Sequence, residues 1–466
     1  MEREPIKERD RIMLVRFSPR QGRKLTHPLG VMPPFTLKYV QAMLEKEGPF
    51  RVELADCSLY PLTPEGLALK AASFAPDCLV IQADVLTYRP AREFAELARA
   101  RGMGSFILTG PGIDPSDAAE LFPLYICGEG EVKIAEIIKE CSRARDFSSK
   151  RLRSRARECA GKEFLVEDPD SLPFPSYSRR EIEGYSGIFP LRFNGRARYG
   201  FVLSGRGCPH DCGFCSGAIR VSCGSRVRFR SPGNVVDEMA SLTGAGVNVI
   251  SFADDDFSCS ERHAAGICEE ILRRKLNVYW TAQARLDELS RETLRLMKRS
   301  GCILLRLGVE SGCERVLKGL KKCADPVEWK RLAGQVSGWL AHEGIACDAM
   351  FMIGSPGETG AEIEETMRLC SFMKPDFIQV HYYAPYADSR MSAGAAASCR
   401  PPHHYALPER SLSAVDIPAL RRLRAFFYLR LCLDPFFILR HLSRYGFFYL
   451  RNPRVLLRLS GMLLSF

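Results

Sequence analysis

Residues 199–215 read YGFVLSGRGCPHDCGFC, an apolar strand that runs into a glycine-flanked loop carrying Cys208, Cys212 and Cys215. The C-x3-C-x2-C spacing places three thiols within eight residues, close enough to converge on one metal centre. Thiolates favour zinc or iron–sulfur. A closed structural zinc site takes a fourth ligand, often from a second C-x2-C knuckle. No second knuckle is present, and His210, inside the triplet, is poorly placed to complete a tetrahedron. Three cysteines leave one iron of a cluster open, and an open coordination position is what catalysis needs. The triplet alone leaves two other readings, a zinc knuckle closed by a distant cysteine and three reduced spectators.

Reading onward, further strands are expected at 247–253, 278–283, 303–309, 346–353 and 377–381. Helical spacing falls between them at 232–244, 260–275, 290–299, 326–343 and 360–373. With the first strand these make six βα repeats, a partial (β/α)6 TIM-type barrel over 199–385. Each strand ends in polar residues or glycine. These are Asp254-Asp255-Asp256, Arg285, Glu310-Ser311-Gly312, Gly354 to Thr359, and Tyr382-Tyr383. In α/β barrels the carboxyl rim is the active face, and the cysteine loop lies on it.

Residues 1–142 alternate differently. Strands are expected at 12–17, 51–55, 78–83, 105–109 and 124–127, with helices at 35–46, 64–74, 89–101 and 129–141. Alternation of this length predicts a parallel, flavodoxin-like (Rossmann-like) sheet covered on both faces. Such sheets bind ligands beyond the carboxyl ends of their strands. The loops at 18–34, 56–63, 84–88 and 110–114 are therefore where a cofactor would lie. Residues 143–198 read as a linker. Its first part, 143–157, holds seven Lys/Arg and one Asp without an apolar period, as in a solvated connector. DPDSLPFP at 168–175 is a stiff extended join.

Residues 386–466 form a helical, arginine- and aromatic-rich tail. From 421 onward there are nine arginines against a single acid, Asp434, so this tail supplies most of the net charge of +11. Breaks are expected at Pro435 and Pro453. Two arrangements are open: helices lying on an anionic membrane with arginines at the headgroups, or helices packed on the barrel with arginines outward. No recognition module accompanies the charge, so nucleic acid is not an expected partner.

Composition bounds the rest. The chain has 466 residues, 46% apolar and 26% charged, which suits two or three globular domains and excludes a disordered or collagen-like chain. The opening MEREPIKERD lacks an apolar signal core. No run reaches the roughly 18 apolar residues of a spanning helix. A cytoplasmic protein, peripheral to the membrane at most, is the expectation. The 18 cysteines do not suit a disulfide scaffold in a chain of this length. Fifteen of them, such as Cys78 and Cys347, read as small core residues.

Four motifs in register carry a family resemblance: the cysteine triplet after the first strand, DDDF at 254–257, GVESG at 308–312 and IGSPGET at 353–359. The segment resembles the core of a radical S-adenosylmethionine enzyme. The first region, with GEGE at 128–131, and the LPFP at 172–175 are similar to the subgroup that carries an N-terminal cobalamin-binding domain. The resemblance implies that Cys208, Cys212 and Cys215 hold a [4Fe–4S] cluster whose open iron binds S-adenosylmethionine. Phe214 would cover the cluster. Asp254 and Asp255 would receive the methionine ammonium, with helix capping as their alternative use. Glu310 and Ser311 would reach the ribose. Gly354 and Gly357 would let backbone approach the adenine. Arg285 would neutralise the cofactor carboxylate or a substrate anion.

Cobalamin is the implied second cofactor. The D-x-H-x-x-G motif is missing, and His27 (THPLG) lacks the leading Asp. The implied chemistry is radical methylation of carbon or phosphorus, with cyclisation or rearrangement as the alternative within the subgroup. A hydrophobic small molecule, lipid or tetrapyrrole-like, would suit the tail, and a flavodoxin or ferredoxin would serve as reductant. A non-enzymatic iron–sulfur protein for electron transfer or redox sensing is the reading from another class.

Overall fold

A computed structural model describes residues 10–18, 31–84, 86–111, 113–160, 162–186, 197–215, 226–383, 391 and 411–451. The chain divides into two compact units. One is built from Met1–Thr26 and Val31–Tyr185, the other from Ser186–Gly217 and Ser225–Phe466.

In the first unit, β1 (Asp10–Arg16), β2 (Phe50–Asp56), β3 (Cys78–Gln82), β4 (Phe106–Thr109) and β5 (Leu124–Gly128) join a short β6 (Glu163–Phe164). The order is β2-β1-β3-β4-β5-β6 and every pairing is parallel, so the flavodoxin-like expectation holds. The strands are apolar throughout because helices cover both faces. Val15, Ile81, Leu108 and Phe94 share one buried core. The helices are α1 (Phe35–Glu47), α2 (Pro64–Phe74), α3 (Tyr88–Arg99), α4 (Pro115–Leu121), α5 (Glu131–Ala144), α6 (Ser149–Cys159) and α7 (Arg179–Tyr185).

Helix α6 corrects the solvated-connector reading. Ser148 caps it through the Arg151 amide, and Leu152 and Cys159 are buried. Two inward positions on an otherwise cationic helix are too few to register as a period. Helices α4 and α7, seven residues each, are too short to show one.

In the second unit, β7 (Tyr199–Val202) is followed by a two-residue ladder, β8 (Gly205–Arg206) against β9 (Arg228–Phe229). Then come α8 (Pro232–Gly244), β10 (Val249–Phe252), α9 (Glu261–Arg273), β11 (Tyr279–Ala284), α10 (Arg291–Arg299), β12 (Cys302–Glu310), α11 (Glu314–Gly319), α12 (Pro326–Glu343), β13 (Ala346–Ile353), α13 (Gly360–Met373) and β14 (Phe377–Tyr382). The sheet order β14-β13-β12-β11-β10-β7 is sequential and parallel, the partial six-stranded barrel expected. Side chains two apart share a face. On β12, Leu305, Leu307 and Val309 are fully buried on one face, and Arg306 and Glu310 stand on the other.

Helix starts are built at the carboxyl rim by capping side chains. Ser231, Ser260, Ser290 and Asp325 each accept an amide hydrogen of the following turn. Thr359 and Glu362 form a reciprocal capping box at α13.

The tail forms α14 (Ile417–Cys432) and α15 (Pro435–Arg451), with the break at Pro435 as read. Pro453 lies outside the described residues. The helices pack on β13 and β14. Phe427 meets Phe351 at 5.4 Å, and the Val380 amide donates to the Tyr428 hydroxyl at 3.0 Å. The arginines do not all face outward, which corrects that part of the reading. Arg424 is buried over the Tyr382 ring at 4.8 Å. Arg440 donates to the Pro375 carbonyl at 2.7 Å, and Arg444 pairs with Asp376. Apolar side chains take the outer face instead: Phe436 is 81% exposed and Leu450 82%. Among the described residues no helix is long and apolar enough to cross a membrane.

Candidate functional site

The cysteine loop leaves β7 and is held at its base by Asp254. The carboxylate of Asp254 accepts the Ser204 amide at 3.0 Å, the Ser204 hydroxyl at 2.7 Å and the Gly205 amide at 2.6 Å. Burial raises it to about 6, against the pull of those hydrogen bonds. Its acceptor positions are committed to the loop, and Ser260 rather than Asp254 caps the next helix. Asp255 is exposed, and its charge bears on both Cys208 and Cys215. Of the two acids read from the sequence, Asp255 is therefore the one with a carboxylate beside the thiols and open to solvent.

The three cysteines are half-buried, and among the described residues none is paired with another sulfur. Burial first, then neighbouring negative charge, raises Cys208 to about 11 and Cys215 to about 12, and the triplet members bear on one another. Such a donor set fits a metal. Bound iron would supply the positive charge that buried thiolates lack, and coordination requires the thiolate.

Two cations stand beside the triplet. Arg285 Nη1 donates to Cys212 Sγ at 3.6 Å. Its other nitrogens hold Asp287 through two 3.0 Å bonds and the Lys322 carbonyl at 2.8 Å. Its guanidinium lies 5.3 Å from the centre of the Trp329 ring. Lys322 pairs with Glu310 at 3.1 Å and stands over Phe214 at 5.9 Å. Glu310 has φ 69°. A left-handed conformation in a non-glycine residue is strained and gathers at functional sites. Phe214 packs on Cys313, Val316 and Leu320.

Other expected residues also make structural contacts. Ser311 is fully buried, 3.2 Å from the Thr366 hydroxyl, and accepts the Cys313 amide at 3.1 Å. Gly354 and Gly357 have φ 85° and 67°, so the turn itself requires glycine. A Cβ at Gly354 would lie 3.2 Å from Leu420 of α14. The amides of Gly354 and Ser355 donate to Glu358 at 2.6 and 3.0 Å.

Several residues escaped the sequence reading. His210 Nε2 lies 2.6 Å from Glu288 and 3.4 Å from Asp256. The Ser258 hydroxyl lies 2.8 Å from Asp256 and 2.7 Å from Glu288, and accepts the Arg285 amide at 2.9 Å. Hydrogen bonds to Asp256 and Glu288 raise His210 to about 9, which favours the imidazolium at neutral pH. One ligand atom from each of His210, Asp256 and Glu288 lies within 4.8 Å of the others. The network ties the cysteine loop to the loops after β10 and β11.

Deeper in the barrel, Gln379 donates to Asp348 at 2.6 Å, and Arg306 stands beside Asp348 in register. Burial raises Asp348 to about 6. The signal was a lone charge inside each of two apolar strands, CILLRLGVE and ACDAMFMI.

In the first unit, Asp56 ends β2, where it accepts the Tyr185 hydroxyl and the Ser58 amide at 2.8 and 2.9 Å. A Cβ at Gly110 would lie 1.8 Å from the Ala83 carbonyl, so only glycine lets the ends of β3 and β4 approach. Glu129 accepts the Val166 amide at 2.7 Å, joining β5 to the segment after β6. His27 lies outside the described residues.

Residues 202–370 match the Radical SAM superfamily. The chain is 26% identical to an uncharacterised methyltransferase of Pyrococcus horikoshii, over 78% of this chain and 79% of that one. It is 24% identical to the anaerobic magnesium-protoporphyrin IX monomethyl ester cyclase of Rubrivivax gelatinosus, over 77% of this chain and 65% of that protein. Its fold is similar to that of the radical S-adenosylmethionine methyltransferase TsrM from Kitasatospora setae, solved with tryptophan substrate and a cofactor analogue. The TM-score there is 0.63 at 20% identity, over 84% of this chain and 78% of that one. A second structure of the same methyltransferase holds cobalamin and a [4Fe–4S] cluster.

Proposed function

We propose that this chain, whose residues 202–370 match the Radical SAM superfamily, is a cobalamin-dependent methyltransferase acting on a hydrophobic small molecule. The observation that carries the reading is the placement of Cys208, Cys212 and Cys215 at the carboxyl rim of a six-stranded partial barrel, in a chain that also holds a β2-β1-β3-β4-β5 sheet. The relatedness to a methyltransferase over more than three-quarters of both chains supports methyl transfer.

A [4Fe–4S] cluster on the three cysteines would supply the electron that cleaves S-adenosylmethionine to methionine and a 5′-deoxyadenosyl radical, and cobalamin would supply a methyl carrier. The chain's own residues do the rest. Asp255 receives the methionine ammonium. Arg285 offsets the negative charge of the thiolates at Cys212. Lys322 holds the Glu310 carboxylate at the rim, toward the ribose. Phe214 shields the loop from solvent. The carboxyl ends of β1 to β4 in the first unit hold the corrinoid.

The outer face of α14 and α15 is read as a contact with an anionic lipid surface. Exposed Phe436, Leu439 and Leu450 would enter the interface, and Arg421 and Arg422, also exposed, would meet the headgroups.

Cyclisation is the second reading, favoured by the similarity to the protoporphyrin ester cyclase. Anaerobic reconstitution with iron, sulfide and a corrinoid, followed by product analysis, separates the two. Methyl transfer consumes S-adenosylmethionine with appearance of S-adenosylhomocysteine and retention of corrinoid absorbance. A chain that retains no corrinoid and yields only 5′-deoxyadenosine contradicts the methyltransferase reading.

A further inference from the structure

We propose that the basic turn at 318–324 is the docking surface for a small acidic electron-transfer protein. The inference rests on the iron–sulfur reading above and names the partner of that same site.

The segment begins in the last turn of α11 and carries Lys318, Lys321 and Lys322 in the run LKGLKKCADP. Lys318 and Lys321 are exposed, and neither forms an ion pair among the described residues. Solvated single lysines are common. Here the lysines rim a cavity of about 460 Å³ that reaches Cys212 itself. Lys318, Lys321, Lys322, Arg285 and His210 line it beside one carboxylate, Asp211; Arg285 and Lys322 are paired with Asp287 and Glu310, so Lys318 and Lys321 carry the charge presented to a partner.

The turn is also fastened to the cysteine loop. The Gly213 amide donates to the Leu320 carbonyl at 2.8 Å, and Leu320 packs in the cluster that Phe214 joins. Arg285 spans the remaining distance, from the Lys322 carbonyl at 2.8 Å to Cys212 Sγ at 3.6 Å. A protein seated on the lysines therefore stands over the metal ligands, with one buried guanidinium between.

The charge selects an acidic partner and steers its approach. Redox encounters are weak and small, burying less than about 1,200 Å² in total, which a lysine-rimmed cavity of this extent can serve. In the transfer the donor is oxidised by one electron and the iron–sulfur centre is reduced by one. No bond forms or breaks at the interface.

The test compares wild type with the double variant Lys318→Glu/Lys321→Glu and a control, Lys275→Glu. Lys275 is an exposed residue at the amino-terminal rim, in the turn before β11. A reduced bacterial flavodoxin is the donor. Its binding to each reconstituted protein is titrated calorimetrically at low and high salt. Bleaching of the cluster absorbance and release of 5′-deoxyadenosine are followed with flavodoxin and, separately, with dithionite.

The proposal expects the double variant to bind flavodoxin at least tenfold more weakly at low salt and to bleach correspondingly slowly. Dithionite-driven cleavage stays at the wild-type level, and Lys275→Glu is unaffected. Equal flavodoxin binding and bleaching by wild type and double variant overturns it, as does weak binding by wild type that salt does not change. Failure of wild type to release 5′-deoxyadenosine with dithionite is a different result and overturns the iron–sulfur reading itself.

Discussion

The guanidinium of Arg285 donates to the sulfur of Cys212 at 3.6 Å while Asp287 grips its other edge through two 3.0 Å bonds. The contact places a fixed positive charge beside one member of the cysteine triplet. Asp287, the Lys322 carbonyl and the Trp329 ring prevent the side chain from swinging away. A nearby cation favours the reduced, more negative form of an iron–sulfur centre. Arg285→Met should therefore lower the midpoint potential of the reconstituted chain by on the order of 30–60 mV, since 59 mV is about 1.4 kcal/mol for one electron. Arg285→Lys should recover only part of it, because lysine cannot hold Asp287 through two parallel bonds. Redox titration followed by electron paramagnetic resonance measures both. An unchanged potential in Arg285→Met removes the electrostatic role.

The His210 network predicts an effect on loop order rather than on chemistry. His210→Ala deletes the link from the cysteine loop to Glu288 and Asp256 and leaves buried carboxylate oxygens without their partner. That costs on the order of 1–3 kcal/mol. The metal-free chain should melt several degrees lower, and reconstitution should yield less iron per chain. His210→Gln, which still donates one hydrogen bond, should restore part of both. Unaltered melting and iron content in His210→Ala would mean that the network does not hold the loop.

Glu358 gives a pH dependence. Burial raises its carboxyl from an ordinary 4.5 to about 7, against the Gly354 and Ser355 amides that favour the charged form. A group whose pKa is raised by folding contributes stability that is complete below its unfolded pKa and lost as pH rises through the folded one. The metal-free chain should thus lose on the order of 3 kcal/mol from this group between about pH 4.5 and 7. Asp254 and Asp348, both raised by burial to about 6, act in the same direction. Glu358→Gln should melt close to wild type at pH 5 and higher than wild type at pH 8. Calorimetry across that range decides it; parallel melting curves at both pH values contradict the assignment.

The tail supplies a surface prediction. Phe436, Leu439 and Leu450 point away from the barrel, while Arg440 and Arg444 point toward the segment Pro375–Asp376. Replacing the three apolar residues with serine should leave the melting temperature within a degree or so of wild type. It should abolish cosedimentation with vesicles of phosphatidylglycerol and phosphatidylcholine. Replacing Arg444 with Ala should instead destabilise the chain, because Asp376 is buried and loses its partner. Undiminished vesicle binding by the triple serine variant would remove the lipid reading.

The barrel was legible because its six strands are apolar and each ends in polar residues or glycine, a pattern local to each strand. The cysteine loop was legible by spacing alone. Partnerships across the barrel were not. Lys322 meets Glu310 over a turn with no periodicity to announce it. His210 was set aside as a poor fourth ligand, and it is the link between three loops. Asp254 and Asp255 are adjacent and chemically identical in the sequence, and only the fold separates the buried loop anchor from the open carboxylate. Ser311 belongs to the quoted motif, yet Thr366, fifty-five residues on, takes its hydroxyl. The tail's arginines were read as solvent-seeking. Arg424, Arg440 and Arg444 instead find aromatic rings, a carbonyl and a carboxylate on the barrel.

The central claim is that Cys208, Cys212 and Cys215 hold a cluster that cleaves S-adenosylmethionine. Its most direct test is release of 5′-deoxyadenosine or of S-adenosylhomocysteine by the chain after anaerobic reconstitution with iron and sulfide, with dithionite as reductant, beside Cys212→Ala treated identically. The account predicts about four irons per chain and turnover of S-adenosylmethionine in wild type, with both lost in the variant. Tight zinc binding by wild type with no consumption of S-adenosylmethionine would contradict it.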